Sequence, residues 1–194
     1  MKSVMISIRP KWCELIASGR KTIEVRKTRP KSETPFKCYI YCTKGQLAML
    51  RDSKDTEDPY KYDKWEYAGF HESCGKTILG GKVIGEFVCD EILQFNRDDY
   101  NSPAYDISDD DLNRTCLLQE DLYRYASGKT LYGWHISDLV IYDKPKELSE
   151  FKKINRKCFY ADLGLAKRDC EECQNTDCAM TRPPQSWCYC EGAA

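Results

Sequence analysis

Histidine is nearly absent from this chain: only His71 and His135 occur among 194 residues. Neither has a recognisable partner in the sequence, so a Ser-His-Asp triad has no support. No Walker-type phosphate loop is visible either. No run of about 18 apolar residues exists, which excludes a membrane-spanning helix of ordinary length. The opening residues Met1-Lys2-Ser3-Val4-Met5-Ile6 lack the long apolar stretch of a secretory signal. A cytoplasmic protein is expected, and the opening reads as a first strand. Internal repeats and low-complexity segments are also missing. The net charge is only −1 and by itself identifies no partner.

The distribution of charge says more. Residues 1–37 carry ten Lys/Arg against three Asp/Glu, residues 85–125 three against eleven, and residues 144–168 eight against three. Two basic regions around an acidic middle are either a solvated surface or a polarised one that guides an anionic ligand. Cysteine is abundant, at twelve. In a reducing compartment Cys13, Cys38, Cys42, Cys74, Cys89 and Cys116 read as small core hydrophobes. The other six fall between residues 158 and 190.

Apolar spacing gives the elements. Val4, Ile6 and Ile8 alternate with polar or flexible residues over 2–9, a strand. Pro10 opens a helix whose stripe is Trp12, Leu15 and Ile16, and Gly19 stops it after about two turns. Strands follow over 21–28 and 36–43, with Pro30 and Pro35 in the loop between them. Residues 46–80 are polar and aperiodic and read as an insertion. A long strand is predicted over 82–95. Ser108 followed by Asp109, Asp110 and Asp111 starts a helix that runs to Gly128. Residues 131–142 form the last clear strand, and Pro145 begins a short helical turn through Phe151. The order suits an α+β domain built around a small, mostly antiparallel β-barrel with flanking short helices, over residues 1–150. Residues 151–194 form a Cys-rich C-terminal tail.

The segment Ile8 to Arg26 concentrates the chemistry. It places a helix ending at Gly19 before a strand that presents Glu24 and Arg26 on one polar face, with Lys21 at the turn. Arginine suits planar contact with a phosphate or a base edge. Glu24 can orient Arg26 or Lys21, or accept from a base amino group. The plainer alternative is a surface Glu24–Arg26 ion pair, worth little to stability.

Gly19-Arg20-Lys21-Thr22-Ile23-Glu24-Val25-Arg26 resembles the signature of ASCH domains, modules of the PUA-like superfamily of the bacterial and phage type. Gly81-Lys82-Val83-Ile84-Gly85-Glu86-Phe87 and Tyr132-Gly133-Trp134-His135-Ile136 resemble later strands of that family, so the likeness covers roughly residues 2–150. It implies a PUA-like β-barrel with a basic cleft beside the first helix, and RNA, a nucleotide or a modified nucleoside as ligand. Lys21, Glu24 and Arg26 fall on the motif. Arg9 and Trp12 flank it and complete the implied ligand-binding set. An aromatic beside cations stacks a base and neutralises a phosphate. Trp12 also shares the core stripe of its helix.

Some small members resemble amidohydrolases that remove an acyl group from an exocyclic base nitrogen. They are thought to use a lysine at the position of Lys21, a threonine three residues on, and a glutamate from a later strand. Here the threonine position holds Glu24, and the later glutamate is Glu86 or Glu91. Other members have been proposed as ribonucleases. The resemblance therefore leaves open an RNA or nucleotide binder and a small hydrolase with Lys21, Glu24 and Glu86 as reacting groups.

The tail adds a third class. Cys170, Cys173 and Cys178 form a C-x2-C-x4-C array, and Cys158, Cys188 or Cys190 can supply a fourth thiolate; Cys158 is the choice adopted. Such a set holds structural zinc in a knuckle. Free thiols on a loose terminus, or disulfides formed on isolation, are the alternative, and an iron–sulfur cluster is a third, although the spacing matches neither ferredoxin pattern. Trp187 and Tyr189 are expected to pin the tail to the main domain, and the tail is also a candidate surface for a protein partner.

Overall fold

The computed structural model describes residues 3–44, 80–97, 104–154 and 179–192, together with the backbone of 70–71 and 76–77. The architecture is α+β and mostly strands. In chain order the elements are β1 (Ser3–Ile8), α1 (Pro10–Ala17), β2 (Ile23–Arg26), β3 (Phe36–Cys42), β4 (Phe70–His71), β5 (Lys76–Thr77), β6 (Lys82–Cys89) and β7 (Ile92–Phe95). Then come α2 (Asp109–Thr115), α3 (Gln119–Ala126), β8 (Leu131–His135), β9 (Ser137–Lys146), a 3-10 turn at Leu148–Glu150, β10 (Lys152–Lys153) and β11 (Trp187–Glu191). No described helix is long and apolar enough to cross a membrane.

The strands form a six-stranded sheet in the order β10-β11-β1-β3-β6-β9, a three-stranded sheet β2-β8-β7, and the β4-β5 pair. Among the described residues only β1 and β3 run parallel, so the expectation of a mostly antiparallel sheet is met. The expected closed β-barrel is not: among the described residues no ladder joins the edges of the two larger sheets. The cause is local. The single strand read over 82–95 is two strands, divided at Asp90 and Glu91, and its halves lie in different sheets. The strand read over 131–142 divides likewise at Ile136. Both chains turn from one sheet to the other at one corner. Glu91 O accepts from His135 N, and Val88 O accepts from the Ser137 hydroxyl, which ties the two turns together. Register shifts between β6 and β9 add further bending there.

The helix read over 108–128 is also two. Ser108 caps α2 by accepting from Asp111 N, as its sequence predicts. Cys116 then takes a left-handed conformation with φ 54 and ends the helix.

Alternation explains the layers. Val4, Ile6 and Ile8 of β1, with Cys38, Ile40 and Cys42 of β3, point to one core shared with Cys13 and Ile16 of α1 and with Trp134. Met5, Tyr39 and Tyr41 point to the other face, onto Phe151, Met180 and Cys190. A third core packs Ile23 and Val25 of β2 against Leu122 and Ala126 of α3. Cys13, Cys38, Cys42 and Cys89 are buried, as the core reading requires, whereas Cys116 is half-buried. Cys74 lies outside the described side chains.

The C-terminal strand is built into the main sheet. β11 pairs with β1 over Ser3–Cys190 to Ile6–Trp187. Trp187 lies 5.9 Å from Trp134, ring to ring, and its indole donates to Thr28 Oγ1 at 2.9 Å. Tyr189 Oη accepts from Lys31 N. These two aromatics pin this segment to the domain, as read.

Gly133 of β8 pairs with Val25 at the centre of the three-stranded sheet. A Cβ there would stand 2.7 Å from the Phe95 ring and 2.8 Å from Ile23 Cγ2, both buried and unable to yield. Gly133→Ala is therefore expected to cost about 1–3 kcal/mol of stability, read as a lower urea midpoint. An unchanged midpoint would show that this sheet is loosely packed.

Candidate functional site

The site begins at the turn between α1 and β2. Gly19, with φ +73, ends α1 as its position in the sequence predicts. The chain then reaches Lys21, whose backbone N donates to Leu15 O. In β2 the alternation sends Ile23 and Val25 into the third core and leaves Glu24 and Arg26 on the opposite face.

That face is enclosed. Lys21 is 2% and Glu24 6% exposed. Glu24 Oε2 lies 3.4 Å from Lys21 Nζ, and Oε1 lies 3.0 Å from Arg26 Nη2. The surface ion pair considered from the sequence is thus a buried three-charge cluster. Lys21 Nζ also donates to Ile23 O at 2.9 Å and to Thr115 O at 2.7 Å. Thr115 is the last residue of α2, where unpaired carbonyls and the negative end of the helix dipole favour a cation. Arg26 Nη2 donates to Ser7 O at 2.7 Å, and Arg26 Nε is buried with no hydrogen-bond partner among the described residues.

The cluster lies at one wall of a cavity of about 510 Å³. Arg9, Trp12, Lys21, Glu24 and Arg26 all line it, so the structure brings the proposed ligand-binding residues together. Trp12 is half-buried. Its ring packs against the first core and has Lys11 Nζ 4.9 Å and Lys21 Nζ 5.3 Å from its centroid. Both sequence readings of Trp12, core residue and cavity wall, hold at once.

Several lining residues escaped the sequence reading. Lys11 and Ser7 adjoin residues already named. Asp121 and Tyr125 come from α3, four apart and so on one face of the helix. They flank the buried pair Leu122 and Ala126, which is the signal that could have found them. Gln185 and Ser186 come from the segment before β11. Ser7 fixes that segment: its N donates to Ser186 O at 2.8 Å and its hydroxyl to Pro184 O at 2.6 Å. No local pattern announces a contact between residues so distant in sequence.

Neither Glu86 nor Glu91 lines the cavity. Glu86 instead accepts from Lys37 Nζ and from Tyr142 Oη, each at 2.6 Å. Burial alone would raise its carboxyl, but those two hydrogen bonds and the charges of Lys37 and Lys146 outweigh it and hold the group below the usual glutamate range. The same contact, added to burial, pushes the Tyr142 hydroxyl well above the ordinary tyrosine value. His135, unpartnered in the sequence reading, has Nδ1 2.6 Å from Asp90 Oδ1. Burial opposes ionisation of Asp90, but hydrogen bonds from His135, its own backbone and Ser137 prevail and lower it. This pair holds the corner between the sheets.

The zinc candidates Cys158, Cys170, Cys173 and Cys178 lie outside the described residues, as does most of the 46–80 segment. No group of three or more metal-ligating side chains occurs among the described residues. Cys188 and Cys190 are in β11; burial pushes the Cys190 thiol up to about 12.

The comparisons bear on this arrangement. Residues 6–93, which contain α1, β2, β3 and the whole charge cluster, match the family model of the ASCH domain. Over these residues the chain is similar to the ASCH domain. Among solved structures it is similar to ASCH from Zymomonas mobilis, at 17% identity and a TM-score of 0.45, over 96% of this chain and 86% of that one. Two mutants of the Zymomonas mobilis ASCH protein are similar too. One has 17% identity and a TM-score of 0.44, covering 97% of this chain and 90% of its own. The other has 18% and 0.44, covering 96% and 87%. Comparison with curated proteins gives no match.

Two outcomes are expected of this part of the molecule. Glu24→Gln leaves two buried cations without their anion and should destabilise the fold by about 3–5 kcal/mol, measured by chemical denaturation. A loss below about 1 kcal/mol would place the cluster effectively in solvent. Glu86 is lower in the folded state than unfolded. Its contribution is therefore complete above the ordinary value of 4.5 and is lost as pH falls through and below it. The urea midpoint of Glu86→Gln should accordingly vary less with pH than that of the native chain between about pH 6 and 3; parallel curves would refute the assignment.

Proposed function

We propose that this protein binds RNA or a nucleotide in the cavity beside α1, through Trp12 and the cations around it. The observation that carries the reading is the composition of that wall. A half-exposed indole stands among Arg9, Lys11, Lys21 and Arg26, opposed by only the carboxylates of Glu24 and Asp121. Both carboxylates have protein partners: Glu24 is paired with Lys21 and Arg26, and Asp121 accepts from Leu118 N at 3.1 Å. Arg9 and Lys11 are exposed, and Arg26 Nε remains a donor without a protein acceptor among the described residues. A flat ring for a base and convergent donors for a phosphate are the two elements that such a ligand requires. The RNA association implied by the ASCH resemblance points the same way.

The hydrolase reading draws less support. An ammonium has three donors, and Lys21 has three acceptors around it in Ile23 O, Thr115 O and Glu24. That arrangement holds a cation in place and leaves no lone pair for attack. Glu86, the later glutamate, lies elsewhere.

Fluorescence titration of Trp12 and its Ala variant with RNA oligomers tests the proposal. Base–aromatic stacking is worth about 1–3 kcal/mol, so Trp12→Ala should weaken binding about ten-fold or more, and affinity should fall steeply with salt. Equal affinity for both proteins would remove Trp12 from the site. Turnover of RNA or of an acylated nucleoside, abolished by Lys21→Ala in a folded protein, would favour the hydrolase instead.

A further inference from the structure

The cavity has a second aromatic wall. Tyr125, on α3, is 39% exposed, and Lys27 Nζ lies 4.9 Å from its ring centroid. It repeats on α3 what α1 builds with Trp12 and Lys11. Arg26, adjacent to Lys27 in the chain, lines the same cavity as both rings. The two rings come from different helices and each carries its own cation. One nucleotide needs one platform and one cationic contact, whereas two platforms with separate cations suit two successive bases and the phosphates linking them. The cavity volume, about 510 Å³, is within the range that holds ligands larger than a single small metabolite. The other exposed tyrosine of α3, Tyr123, is two residues away, on a different side of the helix, and stacks on Arg97; it does not extend this path.

We infer that the ligand is single-stranded RNA of at least two consecutive nucleotides, one base on Trp12 and the next on Tyr125, and not a free nucleoside. The inference rests on the nucleotide-binding reading of the same cavity. Lys11 is exposed and its ammonium can leave the indole for a phosphate as the base arrives. Lys27 plays the same part beside Tyr125. Asp121, one turn before Tyr125, disfavours a phosphate on the α3 side and sets the backbone of the strand against the α1–β2 wall.

The test compares 5′-mononucleotides with random-sequence di- and hexaribonucleotides, by titration calorimetry, on the native chain and on Trp12→Ala, Tyr125→Ala, Tyr125→Phe and Lys27→Ala. The dinucleotides are expected to bind about ten-fold tighter than the mononucleotides. Tyr125→Ala should abolish that gain, while Tyr125→Phe keeps it. Lys27→Ala should reduce the salt slope for the dinucleotide by about 0.7. Mononucleotide binding that depends on Trp12, with no gain on lengthening, overturns the inference and leaves the nucleotide-binding reading standing. So does a Tyr125→Ala variant that weakens mononucleotides and dinucleotides alike, because one base would then be sandwiched between both rings. If none of the probes binds, the nucleotide-binding reading itself fails, and the inference with it.

Discussion

The buried carboxylate of Glu24 is the constraint around which this end of the molecule is arranged. A buried charge is tolerated only when paired and hydrogen-bonded. Glu24 meets that demand with Lys21 on one oxygen and Arg26 on the other. Each cation then reaches further. Lys21 binds the last carbonyl of α2, which fixes the α2–α3 pair against β2. Arg26 binds Ser7 O, and Ser7 in turn holds Pro184 and Ser186. Four segments distant in sequence are thus tied through one acid, and they are the segments that enclose the cavity.

The cavity exists because two long strands each leave their sheet. Had 82–95 and 131–142 continued straight, β2 would have no partner in β8, and the polar face of β2 would have no enclosure. The turn at Asp90 and Ile136 moves β7 and β8 beneath α3. The hydrogen bonds of His135 N to Glu91 O and of the Ser137 hydroxyl to Val88 O satisfy backbone groups that the interrupted ladders leave open.

This explains what was legible. Period-2 alternation located β1, β2 and β3, and Pro10 and Gly19 bounded α1, because those signals are local. The same alternation, without any tertiary information, placed Glu24 and Arg26 on one face, and the turn after Gly19 put Lys21 beside them. It could not tell a buried cluster from a surface pair, since burial depends on β8, α2 and the C-terminal segment closing over it. The breaks at Asp90, Cys116 and Ile136 were missed for a related reason. None carries a Gly or Pro. Cys116 reaches a left-handed φ that a non-glycine residue takes only when its surroundings require it. Gln185 and Ser186 were invisible as site residues because only the β1–β11 pairing brings them to the cavity.

The uneven charge of the sequence also acquires a spatial meaning. The basic N-terminal region supplies the α1–β2 wall, through Arg9, Lys11, Lys21 and Arg26. The acidic middle supplies the α3 wall, through Asp121. Charges of both signs therefore line the cavity. A field with that direction does little for fold stability, but it orients an anion. On the nucleotide-binding reading proposed above, a ligand with phosphate along one edge and apolar rings along the other would enter the cavity in one sense only. Glu24 makes this asymmetry possible. By absorbing the charge of the two innermost cations it allows them to be buried at all, and it leaves the outer pair, Arg9 and Lys11, as the charges an approaching ligand first meets.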